Sequence, residues 1–407
     1  MFEVQGKYNT AKIFSIRPDE KAFEQIRLLC DQPFVKDAQI RIMPDYHFGA
    51  GCTIGFTANL GDKIIPNLVG VDLGCGMLCI ELGKLNIDLE KFDNIIKENV
   101  PSGRNSHKGR VIGFDSINDL ISYRELRHQG DFDKQLGSLG GGNHFIELDK
   151  DDYGNIYLVI HSGSRNMGKQ VADYWQHVAI ENCKGLGNLN EEKKKLIYNL
   201  KDEGNQSAIQ PALKQLEKAF RESNPLYPSD LCYLEGVSRD EYLHDMKICQ
   251  EYACLNRDTM ANIILNHLGY DGFKKFNYFH TTHNYIDFVD NTIRKGAVSA
   301  YKGEKLIIPI NMRDGSLICL GKGNPDWNNS APHGAGRLMG RNDAMRRLDL
   351  SEFTNSMEGI YTTTANAKTL DEAPMAYKPM NEIVDAIQDT VEVLNVIKPI
   401  YNFKASE

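Results

Sequence analysis

The stretch VGVDLGCGM, residues 69–77, places a carboxylate and a thiol three positions apart among glycines. A tight turn of this length can aim the side chains of Asp72 and Cys75 at one ion, and the glycines leave room for a ligand to approach the backbone. Carboxylate, thiolate and imidazole groups are common ligands of divalent metals in proteins. The stretch alone is equally compatible with a tight turn around a buried thiol.

Histidines could supply the remaining ligands of such a site. A single histidine is weak evidence, because most histidines simply form hydrogen bonds in a core or at the surface. Five of the eleven, however, follow apolar runs in glycine-rich or polar loops: His47, His144, His161, His283 and His333. Together with Asp72 and Cys75 they predict a divalent-metal site, and the softness of these donors alone would favour zinc.

Two glycine-rich loops point to phosphate binding. The stretches GSLGGGN and HGAGR offer bare backbone amides next to an asparagine or an arginine. Neither has the spacing of a P-loop or of a dinucleotide fingerprint, and each alone could be an ordinary turn. In PHGAGR the imidazole of His333 adjoins the loop and could attack a phosphorus held there, with Arg337 offsetting the developing charge. His333 is therefore the candidate nucleophile.

Composition limits the class of protein. The 407 residues are 41% hydrophobic and 25% charged, with a mean hydropathy of -0.42, which is typical of a soluble globular chain. No run reaches the roughly 18–20 apolar residues of a spanning helix and no secretion signal is visible, so a cytoplasmic protein is predicted. The net charge of -8 argues against nonspecific RNA binding, so any RNA contact requires a local basic groove.

Local patterns predict the elements that position these residues. Short β-rich runs alternate with glycine-marked turns over residues 13–81, and GGGNHFIEL and NIYLVIHSGSRNMG each join a strand to a polar loop. Helical spacing dominates residues 190–268, strands return at KLIIPI and GSLICLG, and residues 379–396 read as an amphipathic helix. We predict an α+β fold: one domain over residues 1–407, with mixed sheets around a central active-site cleft and a helical insertion at 185–268.

Six motifs, taken in chain order, resemble those of the RtcB-type RNA ligases. They are MPDYHFGAGCTIG, VGVDLGCGM, GGGNHFIEL, HSGSRNMG, HNY and HGAGR, and the likeness runs over nearly the whole chain. Members of that family use GTP and manganese to join an RNA 3'-phosphate or 2',3'-cyclic phosphate to a 5'-hydroxyl, in RNA repair or tRNA splicing. The resemblance implies this activity for the chain.

The resemblance also implies a pair of metal ions. Asp72, Cys75 and His144 match the ligands of one manganese ion, and Cys75, His161 and His283 match those of a second. Cys75 would then bridge the two ions. The manganese of the family replaces the zinc that donor softness suggested, and such a pair can orient phosphates and stabilise charge.

Further roles follow from the same motifs. His333 matches the histidine that becomes guanylylated, Asp45 matches the carboxylate that orients it, and Arg165 resembles a contact to RNA phosphate or a support of the metal ligands. The implied nucleotide-binding residues are Asn143, Glu147, Ser316, His333, Gly334, Ala335, Gly336, Arg337 and Lys404. One departure concerns the guanine contact at Ser316: many family members read PGSMG where this chain has PINMRDGS, with the bulkier Asn311, Arg313 and Asp314.

The predicted function is a GTP-dependent RNA ligase that acts through a histidine–GMP intermediate and an RNA end activated by GMP. RNA and GTP are the expected partners, archease is a candidate activating partner, and a monomer is expected. One alternative is a metal-dependent phosphoesterase on RNA ends, and another is a non-enzymatic RNA-binding protein. The position of His333 beside a phosphate loop argues against the first, and the pI of about 5.8 argues against the second. The physiological RNA stays open.

Overall fold

Runs of apolar and β-branched residues form the strands in the part of the chain that the structure, a computed structural model, describes: residues 1–223 and 227–405. In chain order the strands are β1 (Phe2–Gln5), β2 (Thr10–Ile13), β3 (Arg41–His47), β4 (Ile54–Ala58), β5 (Gly76–Gly83), β6 (Phe145–Lys150), β7 (Ile156–Ser162), β8 (Asn277–Thr282), β9 (Tyr285–Ile286), β10 (Ile293–Lys295), β11 (Ala297–Ser299), β12 (Lys305–Asn311), β13 (Gly315–Gly321), β14 (Ser330–Pro332) and β15 (Val391–Lys404).

Helices alternate with these strands. They are α1 (Glu20–Cys30), α2 (Leu89–Asn99), α3 (Phe132–Gln135), α4 (Arg165–Cys183), α5 (Leu186–Asp202), α6 (Ile209–Ser223), α7 (Gly236–His267), α8 (Arg341–Arg347), α9 (Leu350–Ser356) and α10 (Met380–Ala386). The predicted α+β fold is therefore confirmed.

Within the described ranges the strands pair into three sheets. One has the order β1-β2-β3-β4-β10-β9, a larger one has the order β12-β13-β15-β6-β7-β5-β8, and β11 pairs with β14 alone. Strand β7 is buried along its whole length, as expected for an apolar strand in a sheet that is covered on both faces. The larger sheet is the main platform for the site.

The direction of four neighbouring strands brings distant segments together. Strand β7 is antiparallel to both β6 and β5, and β5 is antiparallel to β8. The first residues of β5 and β6 and the last residues of β7 and β8 therefore lie at one edge of the sheet. Cys75, His144, His161 and His283 occupy these four strand ends or the positions beside them.

Helix α7 covers one face of this sheet. Its residues Met260 and Ile264, one turn apart, pack in the same core cluster as Leu78 of β5 and Ile160 of β7. Helices α5, α6 and α7 occupy most of residues 185–268, but residues 224–226 lie outside the described residues, as do 406–407. That this segment is an insertion in one domain over 1–407 stays a prediction.

The C-terminal segment corrects one prediction. The helix expected over residues 379–396 ends at Ala386, and the chain continues as β15, which pairs with β13 and β6. Val391 and Ile397 are buried in two core clusters on this strand. β-branched side chains fit a pleated surface better than a helix, and here the available sheet decided the outcome.

Hydropathy also bears on membrane association. No helix in the described ranges contains a stretch that is both long and apolar enough to traverse a bilayer.

Candidate active site and metal centre

The edge of the larger sheet brings the five predicted metal-ligand side chains together. Cys75 Sγ lies 3.4 Å from His144 Nε2 and 3.3 Å from His161 Nε2. His161 Nε2 lies 3.3 Å from His283 Nε2, and Asp72 Oδ2 lies 3.0 Å from His144 Nε2. Two groups result, each with its ligand atoms within 4.8 Å of one another, and Cys75 belongs to both. Their role as ligands stays a prediction.

Backbone carbonyls orient the histidine rings. His144 Nδ1 lies 2.9 Å from the carbonyl oxygen of Leu139, and His161 Nδ1 lies 3.2 Å from that of Asn143. Because a carbonyl oxygen only accepts, we assign the proton of each ring to Nδ1, which leaves the Nε2 lone pair directed at Cys75. The same arrangement orients histidine ligands in known metal sites.

The electrostatics of this group suit a bound cation. Burial, together with neighbouring positive charge, lowers the pKa of His161 and of His283 well below the usual value, so both rings are neutral. Burial and the Asp72 carboxylate raise the pKa of the Cys75 thiol well above its usual value. Neutral nitrogens with converging lone pairs cannot satisfy one another, whereas a divalent ion accepts those lone pairs and displaces the thiol proton. The donor set therefore fits a metal.

The backbone around this group is bent into rarely used conformations. Arg165 and Asn284 have φ angles of 60° and 61°, which cost roughly 1 kcal/mol or more each for residues with a side chain. The backbone carbonyl oxygen of Asn284 accepts a hydrogen bond from Gly74 N at 3.0 Å. The conformation of Asn284 therefore helps to hold the turn before Cys75. At Gly163 a Cβ atom would collide with the carboxylate of Asp72. Strain of this kind concentrates at functional sites.

His333 and Asp45 form a pair beside the metal-ligand group. His333 Nδ1 lies 2.6 Å from Asp45 Oδ2, Asp45 is fully buried, and the His333 side chain is 17% exposed. Asp45 lies where the pairing of β3 with β4 shifts register, and such an irregularity redirects a side chain. The rings of His333 and His283 are 4.9 Å apart. His333 Nε2 therefore remains available for chemistry.

A cavity opens next to His333. It is lined by Asn143, Phe145, Glu147, His161, Pro309, Ile310, Asn311, Met312, His333, Gly334, Ala335, Glu372, Tyr377 and Lys404. Glu147 is buried and accepts a hydrogen bond of 2.5 Å from Asn402 Nδ2. Lys404 Nζ lies 3.2 Å from the carbonyl oxygen of Asn143. The cavity combines apolar walls with a few converging polar groups, as small-molecule sites do.

Comparison with known proteins decides the family. A family model described as tRNA-splicing ligase RtcB matches residues 25–125 and 117–405. The chain belongs to this family. It is 28% identical to the RNA-splicing ligase RtcB of Escherichia coli K12 over 420 residues, 93% of each chain. It is 26% identical to the tRNA-splicing ligase RtcB of Archaeoglobus fulgidus, over 93% of this chain and 89% of the relative. The protein is therefore an RNA ligase.

A more divergent relative matches over nearly the full length. RNA-splicing ligase RtcB2 of Escherichia coli ATCC 25922 is 24% identical over 437 residues, which cover 97% of this chain and 96% of the relative.

Three of the residues predicted to bind nucleotide are not among those that line the cavity. Ser316 is fully buried in β13, and its hydroxyl has no hydrogen-bond partner among the described residues. Gly336, with φ of 75°, packs against the Asp45 backbone, where a Cβ atom would collide. Arg337 pairs with Glu372 at 3.2 Å. The departure in the PINMRDGS stretch instead places Asn311 in the cavity wall.

Sequence reasoning missed two polar residues of this RtcB-family cavity, Glu372 and Tyr377. Glu372 lies 2.8 Å from Lys404 Nζ and 2.5 Å from the Tyr377 hydroxyl. Burial alone would raise the pKa of Glu372, but the charges of Lys404, Arg341 and Arg337 outweigh it and lower the pKa to about 2. The surrounding TLDEAP stretch has no glycine or histidine pattern, so no local signal could have identified it.

A second, basic cleft reaches the metal-ligand group from the side of Asp72. Its lining includes Arg104, His128, Arg165 and Lys169. Arg165 donates from Nε to Ser138 Oγ at 3.1 Å and from Nη2 to the Gly103 carbonyl oxygen at 3.0 Å. The cleft is thus a local basic groove in a chain whose net charge is -8.

Proposed function

We propose that the protein is a GTP- and Mn²⁺-dependent ligase that joins an RNA 3'-phosphate, or a 2',3'-cyclic phosphate opened by hydrolysis, to a 5'-hydroxyl. GTP would occupy the cavity beside His333, and the RNA ends would enter through the basic cleft. The metal-ligand group contacts both spaces, because His161 lines the first and Asp72 lines the second. This placement supports a reaction in which nucleotide and RNA meet at one centre.

The residues that would hold the metal are the five around Cys75. Asp72, Cys75 and His144 would hold one Mn²⁺, and Cys75, His161 and His283 the other. Bound there, the ions would supply positive charge to phosphate oxygens. The protein's own contribution is to fix these ligands at strand ends, so that little rearrangement is needed when the ions bind.

The first step is guanylylation of His333. Asp45 accepts a hydrogen bond from the Nδ1–H group, which keeps the proton on Nδ1 and leaves the lone pair of Nε2 free to attack the α-phosphorus of GTP. A phosphorus–nitrogen bond forms, the α–β phosphoanhydride bond breaks, and pyrophosphate leaves. Asp45 also stabilises the positive charge that develops on the ring. Its burial keeps this carboxylate from being screened by water.

Two transfers complete the reaction. An oxygen of the RNA 3'-phosphate attacks the phosphorus of His333–GMP, the phosphorus–nitrogen bond breaks, and the RNA end now carries a phosphoanhydride to GMP. The 5'-hydroxyl of the second RNA then attacks the 3'-phosphorus, loses its proton, and expels GMP. Activation is required because an unactivated phosphate monoester has no workable leaving group. Arg165 in the basic cleft is the candidate contact for the RNA phosphate.

Guanine specificity is assigned to the polar end of the cavity. The carboxylate of Glu147 can accept two N–H groups of guanine, an arrangement that adenine cannot offer. Lys404 lies beside it, held by Glu372.

The close pairing of His333 with Asp45, at the mouth of the cavity and beside the metal-ligand group, carries the proposal. Intact-mass measurement after incubation with GTP and Mn²⁺ should show the addition of one GMP, which is labile in acid as a phosphoramidate should be. The same chain should then join a 3'-phosphate RNA to a 5'-hydroxyl RNA.

Two variants sharpen this experiment. His333→Ala should acquire no GMP, whereas His177→Ala, which alters an exposed histidine on α4, should acquire it normally. GMP addition to His333→Ala would reject the nucleophile. Cleavage of RNA 3'-phosphates without any GMP adduct would instead favour the phosphoesterase alternative.

A further inference from the structure

Another group of side chains that could bind a metal ion lies outside the active site, between α7 and β8. Cys254 and Asp258 are one turn apart in α7, so their side chains leave the same face of the helix. His280 is in β8, the strand that ends immediately before His283. A thiol, a carboxylate and an imidazole thus meet where a helix crosses a sheet edge.

The three ligand atoms are close enough to share one ion. His280 Nε2 lies 3.1 Å from Asp258 Oδ1 and 3.7 Å from Cys254 Sγ. All three lie within 4.8 Å of one another, and none of the three residues belongs to the groups around Cys75. The group is therefore a separate site rather than an extension of the active centre.

Solvent reaches this group, although its donors are largely shielded. The side chains of His280 and Asp258 are 22% and 23% exposed, and Cys254 is half-buried. Asp258 Oδ1 is itself shielded from water and accepts no well-aligned hydrogen bond from the described parts of the chain. An ion can therefore enter, use that lone pair and keep one water ligand.

The charges of the neighbours favour an ionised sulfur. Burial raises the pKa of the Cys254 thiol, but the hydrogen bond and charge of His280, with the charge of Arg257, outweigh it and lower the pKa. Burial lowers the pKa of His280, but Asp258 and Cys254 outweigh it and raise the pKa. Both donors bind a cation only without their protons, and the lowered pKa of the thiol favours that exchange at sulfur.

We propose that Cys254, Asp258 and His280 bind one zinc ion, with water completing a tetrahedral site distinct from the active centre. Sulfur, nitrogen and one carboxylate oxygen make a donor set suited to zinc, whereas Mg²⁺ and Ca²⁺ prefer oxygen ligands throughout. The ion ties α7 to β8 and so acts as a structural clamp.

The clamp would steady the active centre, because both tied elements position it. Arg257, between the two helix ligands, donates from Nη1 to the carbonyl oxygens of Gly74 at 3.1 Å and Ser162 at 2.9 Å. Strand β8 leads into His283. Binding of zinc at the clamp therefore restrains the turn before Cys75 and the end of β7.

Metal content tests the site independently of ligation, so the failure of this proposal and of the proposed function are distinguishable. The full chain is stripped with a chelator and titrated with Co²⁺, because a cysteine–Co²⁺ bond produces a charge-transfer absorption in the near ultraviolet. The titration uses Cys75→Ala, which removes the active-centre thiol. We expect Cys75→Ala to retain one thiolate-bound Co²⁺ that zinc displaces, and Cys75→Ala/Cys254→Ser to lose it.

A matched control replaces another half-buried cysteine: Cys75→Ala/Cys183→Ser should keep the absorption. Circular dichroism verifies that each variant is folded. If Cys254→Ser does not fold, Cys75→Ala/Asp258→Asn should instead lower zinc affinity roughly tenfold or more. Absence of the absorption from folded Cys75→Ala, or its persistence without Cys254, would show that Cys254 holds no metal ion and would overturn the proposal.

Discussion

At the scale of single residues, the proposed chemistry depends on side chains whose orientation is fixed by buried hydrogen-bond partners. The carboxylate of Asp45 has one oxygen 2.6 Å from His333 Nδ1, while its other oxygen is buried without a hydrogen-bond partner among the described residues. A buried carboxylate of this kind is costly unless it stabilises a neighbouring positive charge. Its proposed role is to fix the tautomer of His333 and to offset charge during guanylylation.

The first prediction concerns this partner. Asp45→Asn keeps the shape but removes the charge and can stabilise the wrong tautomer of His333, so we expect guanylylation to slow by roughly two to four orders of magnitude. Single-turnover intact-mass kinetics would measure the rate. Binding of GTP, measured separately with His333→Ala in the presence and absence of the Asp45→Asn change, should alter little. An unchanged rate of adduct formation in Asp45→Asn would remove Asp45 from the mechanism.

A second prediction concerns Glu147 and pH. Burial raises the pKa of Glu147 to about 7, so the carboxyl is protonated below that pH and ionised above it. Only the ionised form accepts two guanine N–H groups, so the KM for GTP in guanylylation should fall as the pH rises from about 6 to about 8. Glu147→Gln should have a higher KM that lacks this component of the pH dependence. The same pH profile in Glu147→Gln would show that the titration belongs to GTP or to another residue.

Residues in recognisable loops could be found from sequence, and residues without a motif could not. Cys75, His144, His161 and His283 stand next to glycine or other polar residues at strand ends, and the resemblance to one family named their roles. Glu372 reaches the cavity only through tertiary structure, by pairing with Lys404. Ser316 shows the reverse case: the family motif implied that its side chain binds nucleotide, but this side chain is buried in β13.

At the scale of elements, α7 supports the site from behind. The guanidinium of Arg257 is 1% exposed and donates to the backbone carbonyl oxygens of Gly74 and Ser162, the neighbours of Cys75 and His161. Buried carbonyl groups at loops need such donors, because water cannot reach them. The helix therefore contributes hydrogen bonds as well as apolar packing.

The third prediction follows from this support. Arg257→Met should lower the free energy of unfolding by about 2–4 kcal/mol, because the carbonyl oxygens of Gly74 and Ser162 lose a charged donor. Urea denaturation would measure the loss. Lys247→Met, at an exposed position of the same helix, should change stability by about 0.5 kcal/mol or less. Equal effects of the two changes would contradict the proposed support.

The C-terminal strand shows the limit of pattern reading for elements. Met380, Ile383 and Ile387 have helical spacing, and Val391 extends it, so a single long helix was a natural prediction from sequence. The observed helix stops at Ala386, and β15 instead fills the place between β13 and β6. Whether two strands leave a place for a third depends on the tertiary structure, and the periodicity of a local sequence carries no information about it.

At the scale of the whole molecule, charge is distributed unevenly. The chain carries a net charge of -8, yet the cleft beside Asp72 is lined by Arg104, Arg165 and Lys169. Because the rest of the surface repels polyanions, RNA binding should involve few phosphates and should depend only moderately on salt.

The fourth prediction tests this distribution. Arg104→Ala should raise the KM for RNA several-fold and reduce the slope of log KM against log salt concentration by about 1, as expected for one lost phosphate contact. Formation of the GMP adduct should be unchanged, because Arg104 does not line the nucleotide cavity. Arg27→Ala, at an exposed position of α1, serves as the control and should leave the slope unchanged. Equal slopes in Arg104→Ala and the parent chain would place the RNA elsewhere.

Asp45 and the metal ligands are carried by different sheets. Asp45 lies in β3 of one sheet, whereas His161 lies in β7 of the other and Cys75 directly precedes β5 of that sheet. A relative slip of the two platforms by about 1 Å, caused by a substitution far from either, can reduce a rate about a hundredfold. Such an inactive variant would still load its ions and still hold its nucleotide. Separate assays of metal binding and of nucleotide binding would therefore not detect a variant in which only the alignment of the two sheets is lost.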